Sequence, residues 1–234
     1  MPNQVVGGAR GFLTRLGLAA IVAGAGLAGC APMGTGMAAP STARVDRLAA
    51  LFVQAVPVGW MVDRVAARDT QWPFQKYPGR YTPTQLACTR GELTADKVSA
   101  TQHADARAFA RRYPDRVEES IQVLESGAAE AMGLLMRAGM GEAISGRKVD
   151  AGSVMRSLSA GQLRAFNELG EGTQHTELRQ AMRIDELASG GSRAQTHQRG
   201  VRLGQSLLVG PMLSAMERCQ VSPGTLFDKA GTLT

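Results

Sequence analysis

The sequence predicts an all-α protein, an irregular helical bundle of about six to eight helices held by one disulfide. Apolar residues recur three and four positions apart in window after window. No run of β-branched residues alternates convincingly, and breaks containing Gly or Pro separate the windows at helix-like lengths. The chain has 234 residues, 44% hydrophobic and 20% charged, with only 5% aromatic. That is enough apolar chain to bury a core in one domain or two small ones. It is too apolar for general disorder and lacks collagen's glycine period.

The amino-terminal segment comes first. Met1–Arg15 carries Arg10 and Arg15 and no acid, and an apolar run follows from Leu16 to Leu27. A basic start, a short apolar stretch and small residues describe a secretory signal peptide. The run is about a dozen residues, short of the roughly 20 that a membrane-spanning helix needs. It ends in Leu27-Ala28-Gly29-Cys30, which resembles the lipobox of bacterial lipoproteins. The resemblance implies diacylglyceryl attachment to the Cys30 sulfur, cleavage before Cys30 and acylation of the new amino terminus. Ala31 rather than Asp follows the cysteine, which in lipoproteins of this kind implies the outer membrane, facing the periplasm. The expected plan is a signal peptide over 1–29, a lipidated terminus and flexible tether over 30–42, a helical domain over 43–223 and a tail over 224–234.

Removing 1–29 leaves 205 residues with 24 basic and 20 acidic side chains, a formal charge of about +4 instead of +6. No dense Lys/Arg run interleaves with aromatics, so nucleic acid is not expected as a partner. The expected partners are the membrane, through lipid on Cys30, and an envelope protein or peptidoglycan. With Cys30 lipidated, Cys88 and Cys219 remain, and in an oxidising compartment they read as a disulfide. Closing a loop of that length would stabilise the fold by roughly 5 kcal/mol in the chain-entropy model.

Along the mature chain, Ser41 or Thr42 can cap a helix carrying Val45, Leu48, Phe52 and Val56 on one face. Pro57 kinks it or starts the next, where Trp60, Met61 and Val65 continue the stripe. Residues 69–83 hold Trp72, Phe74, Tyr77 and Tyr81 among prolines and glycine, the main aromatic concentration. This stretch is either a loop packed over the core or the rim of a binding surface. Short helices are expected around Thr84–Arg90, which holds Cys88, and Thr101–Tyr113. The clearest helix runs from about Asp115 to Ala143, with Val117, Ile121, Leu124, Ala128, Met132, Leu135 and Met136 on one side and glutamates on the other. Ser159-Ala160-Gly161-Gln162 has capping-box spacing before a helix that Gly170 and Gly172 end. Helices over about Gln174–Leu187 and Arg193–Gln220 follow, the last with a kink expected at Gly210-Pro211.

The segment Leu158–Phe166 resembles the helix opening of a family of exported bacterial helical proteins of unknown function. The match covers roughly thirty residues and departs after Phe166, where Asn167 and then Glu171-Gly172-Thr173 stand instead of the family's Tyr and Ser-Pro-x-Gly turn. It implies a helical fold, and the family supplies no catalytic residues to transfer.

No motif supplies chemistry. His103, His175 and His197 stand apart from one another and read as surface or capping residues. Ser145-Gly146-Arg147-Lys148 matches a bare SxxK but lacks the SDN and KTG partners that such enzymes need. Gly141–Lys148 is one residue out of register for a phosphate-binding loop, and no GxSxG occurs. Met132, Met136 and Met140 fall one turn apart, as core filling or a partner groove. Gly200 and Gly204 suit close helix packing. No cofactor, metal site or catalytic residue is expected. The leading functional reading is a lipid-anchored, periplasm-facing binding or accessory protein. An immunity-type inhibitor of an envelope-targeting toxin and an envelope hydrolase are the alternatives.

Overall fold

A computed structural model describes residues 39–74, 79–185 and 193–225, all in helices, turns and connecting segments, with no strand among them. The signal segment, Cys30, Tyr77 and most of the tail lie outside the described residues. In chain order the α-helices are α1 Thr42–Ala55, α2 Val58–Arg68, α3 Pro83–Glu92, α4 Ala95–Arg112 and α5 Val117–Val123. They continue with α6 Ala129–Ser145, α7 Ala151–Ser157, α8 Ala160–Glu171, α9 Thr176–Ala181 and α10 Arg193–Arg218. Two of these segments were not separate in the sequence: α5 and α6 divide one predicted helix, and α7 is an extra short one.

Helix α1 is the axis of the molecule. Ser41 caps it by accepting the Arg44 N–H, and Leu48, Ala49, Leu51, Phe52 and Ala55 are buried. Its largest interface is with α4, where the rings of Phe52 and Phe109 lie 6.3 Å apart. Along another face α5 and α6 run beside α1 in the same direction. Arg44 pairs with Glu118, Arg47 with Glu125, and the Gln54 carbonyl oxygen lies against Gly133 with no room for a Cβ between them. Pro57 separates α1 from α2, and the two axes differ by 41°. No single helix among the described residues is long and apolar enough to cross a membrane. The bent α1–α2 pair passes that test together by length and composition, but most of its large apolar side chains are buried in the core.

The predicted long helix breaks at Gly127. This glycine has φ 118° inside a single π turn, Leu124–Ala128, that bends the helix between α5 and α6. Left-handed backbone is open to glycine at little cost. The bend makes room for α8: a Cβ at position 127 would lie 2.7 Å from Gln162 Cγ. Gln162 also closes the capping box of α8, its N–H donating to Ser159 Oγ at 3.2 Å and its Oε1 accepting the Ser159 N–H at 2.8 Å.

Helix α3 starts with a second capping box, Thr82 with Gln85, and is fastened to the end of α10. Cys88 and Cys219 form a disulfide with Cα atoms 5.8 Å apart, across 131 positions of sequence. Gln85 Nε2 donates to Gln220 O at 2.8 Å, and Glu92 accepts from Lys97 and from Arg218 at 2.6 Å each. The hydrogen bond from Lys97, aided by the one from Arg218, holds the Glu92 carboxyl below its ordinary value. Helix α10 carries Pro211 in its interior without ending there.

Helix α9 is shorter than expected. A 3-10 turn, Thr173–His175, leads into Thr176–Ala181, and Arg183 then adopts φ 60°. Its N–H donates to Gln180 O at 3.0 Å and the Ile184 N–H to Arg179 O at 2.9 Å, the paired bonds of a Schellman stop.

Replacing Gly127 with alanine should destabilise the fold by about 2–4 kcal/mol, from positive-φ strain plus the clash with Gln162, as read by urea unfolding. Replacing both Cys88 and Cys219 with serine should lower stability by up to about 5 kcal/mol. Reductant added to the parent should lower the unfolding free energy extrapolated from the urea curve by a similar amount.

Candidate functional site

At its described positions, Trp72, Phe74 and Tyr81, the aromatic segment packs on the core. Trp72 and Phe74 are 5% and 1% exposed, so they belong to the core and do not form a binding rim. Tyr81 is half-buried, its ring 4.9 Å from that of Phe74 and its hydroxyl donating to Gln71 at 2.8 Å. The cause is Arg90 on α3. Its guanidinium donates to Ala66 O and Asp69 O at 3.0 Å, Thr70 O at 3.1 Å and Trp72 O at 3.2 Å. Carbonyls left open where α2 ends and the chain turns are thereby satisfied, and the turn folds inward.

His175, expected as a surface or capping residue, stands at the N-cap position of α9 but is 2% exposed and makes no side-chain cap. Its Nε2 lies 3.6 Å from Glu168, beyond hydrogen-bond reach, and has no partner. Beside it Arg179, 7% exposed, donates to Leu169 O at 2.9 Å and Gly172 O at 2.7 Å, closing the carboxyl end of α8. A third bond, from Nη2, reaches Thr176 Oγ1 at 3.1 Å. His103 is half-buried on α4. Ser145 is engaged locally, donating to Gly141 O at 2.6 Å and accepting the Arg147 N–H at 3.2 Å. Met132 is buried, while Met136 and Met140 are half-exposed along α6. Among the described residues no group of three His, Cys, Asp or Glu is placed to hold a metal ion.

The arrangement that stands out is a cleft no motif announced. The α1–α2 corner, α4, the stop after α9 and α10 line a small, solvent-open cleft with a cavity volume of about 30 Å³. Phe52, Val58, Val98, Met182 and Leu207 supply apolar walls. Thr101, Gln102, Asp105 and Arg183 supply the polar groups. The Gln102 amide nitrogen donates to Val56 O at 2.7 Å, which leaves its Oε1 buried and without a partner. Arg183 Nη2 lies 3.3 Å from Asp105 Oδ2. The guanidinium rests over Gly210, where a Cβ would come within 3.2 Å of Nη1.

Arg183 is an unusual occupant of its position. A left-handed residue in a Schellman stop is ordinarily glycine, and a side chain there costs roughly 1–2 kcal/mol. The pair with Asp105 is solvent-exposed on both sides, at 43% and 35%, and a pair of this kind contributes about 0–1 kcal/mol. The ion pair therefore does not offset the backbone cost. Gln220 closes α10 by the same stop, at φ 54°, so this conformation is not peculiar to the cleft.

Comparison with protein-family models, with curated proteins and with solved structures finds no match to this chain.

Arg90→Met keeps the aliphatic stem but removes the donors to four carbonyls. It should cost about 2–3 kcal/mol in urea unfolding, with tryptophan emission shifting to the red as Trp72 becomes wetter.

Proposed function

We propose that the chain is a lipid-anchored, periplasm-facing binding or accessory protein of the bacterial cell envelope. The observation that carries the location is Leu27-Ala28-Gly29-Cys30 at the end of a short apolar run behind a basic start. The Cys88–Cys219 disulfide supports it, because such bridges persist in oxidising compartments and are rare in the cytosol. Lipid on Cys30 would retain the protein at the outer membrane, and three acyl chains hold far more firmly than one. The segment between Cys30 and the start of α1 would act as the tether. At its average span of roughly 20 Å it lets the helical domain work close to the membrane surface.

Binding is favoured over catalysis by the composition of the cleft. Its polar groups are Thr101, the Gln102 side chain and the Asp105–Arg183 ion pair, set among apolar walls. Such a site orients a ligand by a few convergent polar contacts. The partner would be an envelope protein or peptidoglycan.

Cys30→Ser should move the protein from the membrane fraction to the soluble fraction of fractionated cells. Unchanged retention in the membrane would overturn the lipid anchor.

A further inference from the structure

We propose that the carboxyl-terminal half of α6 is a dimer seam, pairing in parallel with the same helix of a second copy of this chain. The inference goes beyond the binding reading above and draws on its lipid anchor only for the direction of the pair.

The seam begins where the core leaves α6. Ala129, Ala131 and Met132 are buried, and Gly133 lies against the Gln54 carbonyl near the end of α1. Beyond that point α1 has ended and the chain bends away by 41°, while α6 runs on for about three more turns. This half is apolar, with Leu134, Leu135, Met136, Ala138 and Met140 and only two charges, Arg137 and Glu142. None of these seven side chains is buried. Leu134, at 37%, is the one large apolar side chain classed as exposed among the described residues. An apolar helical segment ordinarily faces a core, so a surface from outside the chain is missing here.

The two charges point to a second copy. Leu134, Ala138, Gly141 and Ser145 are spaced four, three and four apart and share one face. A Cβ at Gly141 would meet nothing within 4 Å, and Ser145 is exposed, so the described chain leaves this line open. Arg137 and Glu142 border it on opposite sides, five positions apart. At that spacing, flanking residues of a parallel helix pair meet across the seam, Arg137 of each copy reaching Glu142 of the other. In an antiparallel pair each flank meets itself, and Arg137 would face Arg137. Arg137 is exposed and has no ion pair among the described residues. Glu142 accepts the Val149 N–H at 3.0 Å through Oε2, which leaves Oε1 for a partner.

The parallel direction also suits a shared membrane. Because α6 runs beside α1 in the same direction, a two-fold axis along α6 brings the starts of both α1 helices to one end. Two copies tethered through their amino termini to one surface need that arrangement. A seam of three turns is short, and confinement to one surface raises the effective concentration at which it closes.

The test is oxidative cross-linking of the full-length chain in intact cells, read as covalent dimer on non-reducing gels. Cys88 and Cys219 are already paired, so an introduced cysteine supplies the free thiol. Leu134→Cys and Ser145→Cys should each cross-link to the same position of a second copy. Gly139→Cys, exposed but turned well away from the seam, should do so at least fivefold less. Arg137→Glu should lower the Ser145→Cys cross-link several-fold, and adding Glu142→Arg should restore it. Cross-linking no greater than that of Gly139→Cys would overturn the proposal. So would preferred coupling of Leu134→Cys to a co-expressed Ser145→Cys chain, which marks an antiparallel pair, or a double charge swap that restores nothing. Fractionation of the same cells separates this from the anchor. A cross-linked dimer in the soluble fraction defeats the anchor and leaves the seam, whereas a membrane-retained monomer defeats the seam and leaves the anchor.

Discussion

The architecture depends on how closely other helices approach α1 and its continuation. Gly133 of α6 meets the Gln54 carbonyl oxygen with no room for a Cβ, and Gly59 of α2 meets the Ala95 oxygen of α4 at 2.9 Å from where its Cβ would stand. Backbone pressed on backbone leaves little space for large side chains, which matches a core filled by leucine, valine and alanine with few rings. It also sets where α6 lies along α1, and therefore where the bend at Gly127 falls. Helix α8 packs on that bend and α4 on the opposite flank of α1, so most remaining positions follow from these two approaches.

Arginine does much of the polar work that helix ends require. The excess of basic side chains invites a search for an acidic partner, yet Arg90 and Arg179 face inward. They satisfy carbonyls where α2 and α8 finish. Arg44, Arg47 and Arg218 meet carboxylates elsewhere in the chain, and Arg116 meets Asp115 and Glu119 on its own stretch. A planar group with five donors suits carbonyls converging from several directions, which a lysine ammonium serves less well. Net charge was a poor guide here because it counts these residues without seeing that they are engaged.

Helix class, most helix starts and the disulfide pair were legible in the sequence because each rests on local spacing or on cysteine parity. The Ser159–Gln162 capping box could be read directly. The equivalent box at Thr82 and Gln85 carries the same spacing, with Pro83 at the first helical position. Gly127 was hidden because a glycine inside a periodic apolar window looks like a tolerated helical glycine. Trp72 and Phe74 resembled a rim because nothing near them in sequence reveals Arg90 reaching back across the turn. The cleft was least legible of all. Its walls come from four places in the chain, and its ion pair joins Asp105 on α4 to Arg183 past the end of α9.

Gln162 has one further consequence. Its side chain both closes the first turn of α8 and fills the space that a missing Cβ leaves at Gly127. Two positions far apart in the chain are thus one site in mutational terms. A change at 127 displaces the side chain on which the Ser159 cap relies, and a shortened residue at 162 removes the nearest atom a new Cβ at 127 would strike, while Gln162 Cα stays 3.0 Å from it. Their effects are therefore non-additive, the pair costing less than the sum of its parts. An evolving or engineered variant would find these positions easier to alter together than singly.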